Sequence, residues 1–123
     1  MASTSILRVI ALVLAVYGVN ILLIVAPMFT GNPSPLLVAG FVLQVAAAIA
    51  SAIGVWRARS WAPGVIVILG LAIVITEVVE GFVLGLIAFN HALLVAVAAM
   101  LMSLVLAAWV MKLVGRRAAP TVV

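Results

Sequence analysis

Cysteine is absent from the 123 residues, which removes disulfides, thiolate metal centres, iron–sulfur clusters and cysteine nucleophiles together. Aspartate is absent as well, so no Ser–His–Asp set can be assembled. Glu77 and Glu80 are the only acidic residues, and residues of either charge make up 7% of the chain, against about 25% in a soluble domain. No strand pattern precedes a glycine-rich phosphate loop. A short chain with almost no loop cannot build the water-filled cleft that a carboxylate pair needs for glycoside chemistry. Catalysis by this chain alone is therefore not expected.

What is present is hydrocarbon. Hydrophobic residues make up 70% of the chain and the mean hydropathy is +1.60, more apolar surface than a soluble core can hide. Spans of about 20 residues cross a bilayer, and four of them would use nearly the whole chain. The apolar run at 9–26, behind Arg8, is too long for the core of a signal peptide. No small-x-small cleavage site precedes the polar segment at Thr30, so a retained first span is expected.

Breakers divide the chain into spans at approximately 6–26, 36–56, 62–89 and 90–114. Pro27 closes the first, and the stretch "TGNPSPLL" supplies an irregular loop with Ser34 as a helix cap and Pro35 as the first helical residue. The connection "RARS" offers Ser60 as a cap, with Pro63 tolerated in the first turn of the third span. Asn90 is placed to cap the fourth, and the tail "GRRAAPTVV" is expected to leave the membrane. A rival division ends the third span near Val79 and makes 80–90 a re-entrant or interfacial loop; the apolar run "GFVLGLIAF" argues against it.

With four spans, Arg8, Arg57, Arg59, Lys112, Arg116 and Arg117 all fall on one side, and the two loops of the other side carry no charge. Such asymmetry places basic flanks in the cytoplasm. The expectation is an all-α, integral membrane four-helix bundle in the cell membrane with both termini cytoplasmic. Trp56, Trp61 and Trp109 lie near the basic side, where indole rings favour the interface. The "WRARSW" junction resembles a Trp-Arg-x-Arg-x-Trp pattern of small prokaryotic membrane proteins, and it implies topology rather than activity.

Lipid tails are as apolar as leucine, so helices associate in a bilayer through close packing and interhelical hydrogen bonds. Gly40, Ala47, Ser51 and Gly54 give the second span a small-residue face, Gly81 and Gly85 give one to the third, and Ala96, Ala99 and Ala107 one to the fourth. These faces suit packing within the bundle.

Polar residues inside the spans are fewer and more informative. Counting inward from the outer ends, Asn20 is about six residues deep, Gln44 and Glu80 about eight to nine, Tyr17 about nine and Glu77 about twelve. Tyr17 and Asn20 share a helix face, as do Glu77 and Glu80. A polar layer of Tyr17, Asn20, Gln44 and the acids is the expected site. Ionised carboxylates in hydrocarbon are costly and like charges repel, so the pair is expected to hold a proton. No lysine or arginine stands at that depth; the acids must keep protons, bind a cation, meet water or face another chain.

Size and span count resemble those of small multidrug transporters, which exchange protons for cationic substrates through a membrane glutamate. That glutamate lies in their first span, whereas here the acids are in the third, so no residue is carried over. ATP synthase rotor subunits also use a buried carboxyl, on two-span hairpins. His91, the single histidine, lies about 13 Å from Glu80 by the same depth count, and a solvated or capping role is expected. The sequence names no cofactor or metal. Nucleic acid is not an expected partner, since the basic residues serve orientation. The function expected is that of an accessory or structural subunit of a larger membrane complex, with lipid and other membrane chains or self-association as partners. A proton- or cation-coupled carrier or channel using Glu77 and Glu80 is the alternative.

Overall fold

The computed structural model describes residues 2–27, 35–83, 85 and 88–118. Its elements are α1 (Ala2–Val25), α2 (Pro35–Trp56), α3 (Ala62–Val78), a π-helical turn (Val79–Val83) and α4 (Phe89–Ala118). Four helices are long and apolar enough to cross a membrane, over Ser5–Val25, Pro35–Trp56, Ala62–Val83 and Phe89–Gly115. α2 packs between α1 and α3, and α3 between α2 and α4, while α1 and α4 touch sparingly. The bundle is thus open along the seam between its first and last helices.

Both ends of the bundle can be identified from side chains. The Arg8 guanidinium lies 4.9 Å from the Trp56 ring centre, which sets the start of α1 beside the end of α2. Ser5, Ile6 and Val9 line a groove with Leu106 and Trp109, which brings the last turns of α4 to the same end. The basic positions therefore gather at one end of the bundle. The acids sit toward the other.

The core is densest near the basic end, where Leu7, Ile10, Ala11 and Leu14 of α1 meet Ala48, Ala52 and Val55 of α2, Ile66 and Leu69 of α3, and Val110 and Leu113 of α4. Small residues let the backbones approach. A Cβ added at Gly54 would lie 2.7 Å from the Trp61 ring and 3.0 Å from the Ala62 Cβ. At Gly70 an added Cβ would collide with the Ser103 side chain, whose Cβ would stand 2.6 Å away. Outward faces are largely apolar, and α4 is the most exposed, with 17% of its most apolar stretch buried against 44% for α3. Lipid tolerates such a surface and water does not.

Several boundaries differ from those read in the sequence. The third span ends at Val83 rather than at 89: α3 stops at Val78, the chain widens into the π-turn, and Gly85 takes φ 64°. That left-handed conformation suits glycine and breaks helical continuity, which an apolar run does not reveal. Gly85 is exposed, and an added Cβ there would meet nothing within 4 Å, so it does not face a packed helix. α4 begins at Phe89, placing Asn90 inside its first turn, and it continues through Ala118. The residue capping α3 is Trp61, without a side-chain cap bond, so Ser60 does not fill that role. Ser34 lies outside the described residues.

α2 closes in a Schellman arrangement. The Arg59 amide donates to the Gly54 carbonyl at 2.8 Å and the Ala58 amide to that of Val55 at 3.0 Å. Ala58 occupies the left-handed position with φ 52°, where glycine is the usual residue. An L-side chain there costs roughly 1 kcal/mol. Ala58→Gly is therefore expected to stabilise the chain by up to about 1 kcal/mol, seen as a raised unfolding midpoint in detergent; an unchanged or lowered midpoint would contradict the strain.

Candidate functional site

A hydrogen-bonded chain crosses three helices in the half of the bundle away from the basic end. The Tyr17 hydroxyl on α1 donates to Gln44 Oε1 on α2 at 2.8 Å. Gln44 Nε2 then donates to Thr76 Oγ1 on α3, also at 2.8 Å. Thr76 passes its own hydrogen to the Ala72 carbonyl one turn earlier at 2.8 Å. Gln44 and Thr76 are buried and Tyr17 is half-buried. Gly40, one turn before Gln44, makes room for this contact: a Cβ there would stand 2.5 Å from Thr76 Oγ1.

Interhelical hydrogen bonds in membrane proteins contribute about 0.6 kcal/mol each. Gln44→Leu removes two of them and leaves the Tyr17 hydroxyl without its acceptor, so a loss of roughly 1–2 kcal/mol is expected. Denaturation in mixed micelles measures it. Tyr17→Phe and Gln44→Leu should be strongly non-additive, because both remove the same bond.

Glu77 follows Thr76 directly and opens onto the π-turn that carries Glu80. Both glutamates are half-buried. Glu77 Oε2 is buried and has no hydrogen-bond partner among the described residues, although a buried carboxylate oxygen ordinarily has one. Glu77 is close enough to act electrostatically on Tyr17 and on Glu80, and His91 acts on both carboxyls. Among the described residues no group of three His, Asp or Glu side chains converges as a metal site.

The early end of the third span explains this grouping. Glu77 lies about one and a half turns from Val83 rather than the three turns counted from residue 89. The π-turn packs against α4, and exposed His91, in the first turn of that helix, lies within electrostatic reach of both carboxyls. The π-turn begins three residues beyond Thr76, whose hydroxyl bond to its own helix is of the kind that bends helices. Turns of this sort often mark functional positions.

The other polar and small residues are placed as follows. Asn20 is exposed on the outer face of α1 and does not join the chain of bonds. Gly40, Ala47, Ser51 and Gly54 lie on the buried face of α2, with Ser51 Oγ buried and without a hydrogen-bond partner among the described residues. Gly81 is half-buried within the π-turn. Ser103 is buried against α3, its hydroxyl bonded to the Met100 carbonyl at 2.9 Å. Thr76 is the member that sequence reasoning missed. Its position beside Glu77, at the same depth as Gln44, was the available signal.

Fold and site together define a class: a small multi-pass membrane protein, a bundle of four apolar helices with a polar layer across three of them and a carboxylate pair at its edge. No family model, curated protein or solved structure matches the chain.

Proposed function

We propose that this chain is an accessory or structural subunit of a larger membrane assembly, resident in the cell membrane with both termini in the cytoplasm and without catalysis of its own. The observation that carries this reading is the Glu77 carboxylate oxygen, buried yet without a hydrogen-bond partner among the described residues. Tyr17, Gln44 and Thr76 bond to one another and to Ala72, and neither glutamate is among those partners. The arginines and the lysine stand at the far end of the bundle. A basic or polar group of a neighbouring membrane chain, meeting the acids at the α3 face, would supply the missing partner. Most of the residues lie within the spans, and α4 presents a broad apolar face, as a chain packed among others would.

Extraction from the native membrane in mild detergent, followed by identification of what travels with the chain, tests the proposal. A stoichiometric larger membrane partner is expected. Recovery of the chain alone, or only of copies of itself, overturns it.

One observation favours a second reading, a proton- or cation-coupled carrier. Glu77 precedes the π-turn and Glu80 lies within it, and both sit within electrostatic reach of His91, an arrangement suited to handing on a proton. In that reading Glu77 and Glu80 bind the coupling ion, Tyr17 and Gln44 line its route, and Glu77→Gln with Glu80→Gln abolishes transport while leaving the oligomer intact.

A further inference from the structure

At the basic end, α1 and α2 form a groove of about 340 Å³ lined by Ala11, Leu12, Ala15, Ala52, Ile53, Trp56 and Arg57. Its floor is made of alanines, with Ala11 and Ala52 buried and Ala15 half-buried, and its walls are the exposed side chains of Leu12 and Ile53. That cross-section is a shallow slot open to the bilayer, apolar along its length. Its mouth is cationic. Arg57 lines it directly, and Arg8 stacks over Trp56, the aromatic residue of the same rim. The Schellman closure of α2 holds the backbone of Arg57 in place, its amide donating to the Ile53 carbonyl at 3.0 Å. Glu77 and Glu80 lie toward the opposite end, so among the described residues neither arginine has a carboxylate to meet.

We propose that this groove binds one anionic phospholipid, its acyl chain along the alanine floor and its phosphate held by Arg57 and Arg8. Two arginines at the end of an apolar slot complement a headgroup of negative charge, and arginine suits phosphate oxygens through its planar fork of donors. Trp56 serves as the interfacial ring between tail and headgroup. The larger groove between α1 and α4, about 510 Å³ and lined by Ser5, Ile6, Val9, Ile10, Val13, Leu106 and Trp109, has no charged residue among the described residues of its lining. It offers a lipid tail no reason to prefer one headgroup over another.

The test uses the full chain reconstituted in phosphatidylcholine vesicles containing a minor share of phosphatidylglycerol, re-extracted gently and weighed by native mass spectrometry. The expected result is one phosphatidylglycerol retained in preference to phosphatidylcholine. Arg57→Gln and Arg8→Gln should each reduce that adduct roughly fivefold. Arg59→Gln makes the same change of charge outside the groove and should leave it unaltered. Ala15→Leu fills the floor with both arginines intact and should also remove the adduct, which separates a site from a diffuse basic surface. Equal effects of Arg57→Gln and Arg59→Gln, equal retention of the two lipids, or an adduct undisturbed by Ala15→Leu would overturn the proposal. So would loss of a co-purifying protein, rather than of lipid, on Arg57→Gln.

Discussion

Gly70→Ala should lower the stability of the bundle by about 2 kcal/mol, and Gly70→Leu by more, because overpacking a close contact forces backbone shifts. The reason lies in how α3 and α4 meet. At Gly70 the added carbon would run into Ser103, with the two Cβ atoms 2.6 Å apart and the Ala99 carbonyl oxygen 3.6 Å from the new atom. Ser103 cannot swing away freely, since its hydroxyl is bonded to Met100 and its Cβ belongs to the helix. Membrane helices gain their association from close approach, so pushing these two apart weakens contacts along their length. Ser103→Gly combined with Gly70→Ala should recover most of the loss, measured as unfolding in mixed micelles. If Gly70→Ala leaves the unfolding midpoint unchanged, α3 and α4 do not approach as described.

The second large effect concerns assembly. Glu77→Gln with Glu80→Gln should reduce recovery of the partner by about a hundredfold, from about 3 kcal/mol for removing one side of a charge pair that docking desolvates. The isolated chain should respond in the opposite sense or not at all. A neutral amide is cheaper in hydrocarbon than a carboxylate, and neither glutamate takes part in the bonds that join Tyr17, Gln44 and Thr76. Weakened assembly beside an unchanged or raised unfolding midpoint is thus the signature of acids kept for a neighbour. A fall in the midpoint of the isolated chain would instead mean that the pair holds its own bundle together.

Span count and the gathering of basic residues at one end were legible in the sequence, because Pro35, the "WRARSW" junction and long apolar runs act through local chemistry. The polar layer was legible in part: depth counting put Tyr17 and Gln44 at one level, and they are bonded to each other. Asn20, three residues past Tyr17, was expected to share its face. Three residues leave an offset of about 60° around a helix, enough to turn Asn20 outward while Tyr17 reaches α2.

The π-turn was not legible. Residues 79–83 are as apolar as those before them apart from Glu80, and periodicity has no sign for one widened turn. That same turn shortened the span, drew His91 toward the acids, and took Gly85 out of the packing. Ala58 hid the α2 closure for a related reason: alanine is a helix former, and only the tertiary setting holds it at positive φ.

The central claim, that another chain covers the carboxylate edge of α3, is tested most directly by photocrosslinking in intact membranes. A photoreactive residue at Val74, half-buried and one turn before Glu77, samples that face without altering either acid. A crosslink to a different membrane protein is expected, lost when Glu77→Gln and Glu80→Gln are introduced. Crosslinks to lipid alone, or a protein crosslink indifferent to both substitutions, would contradict it.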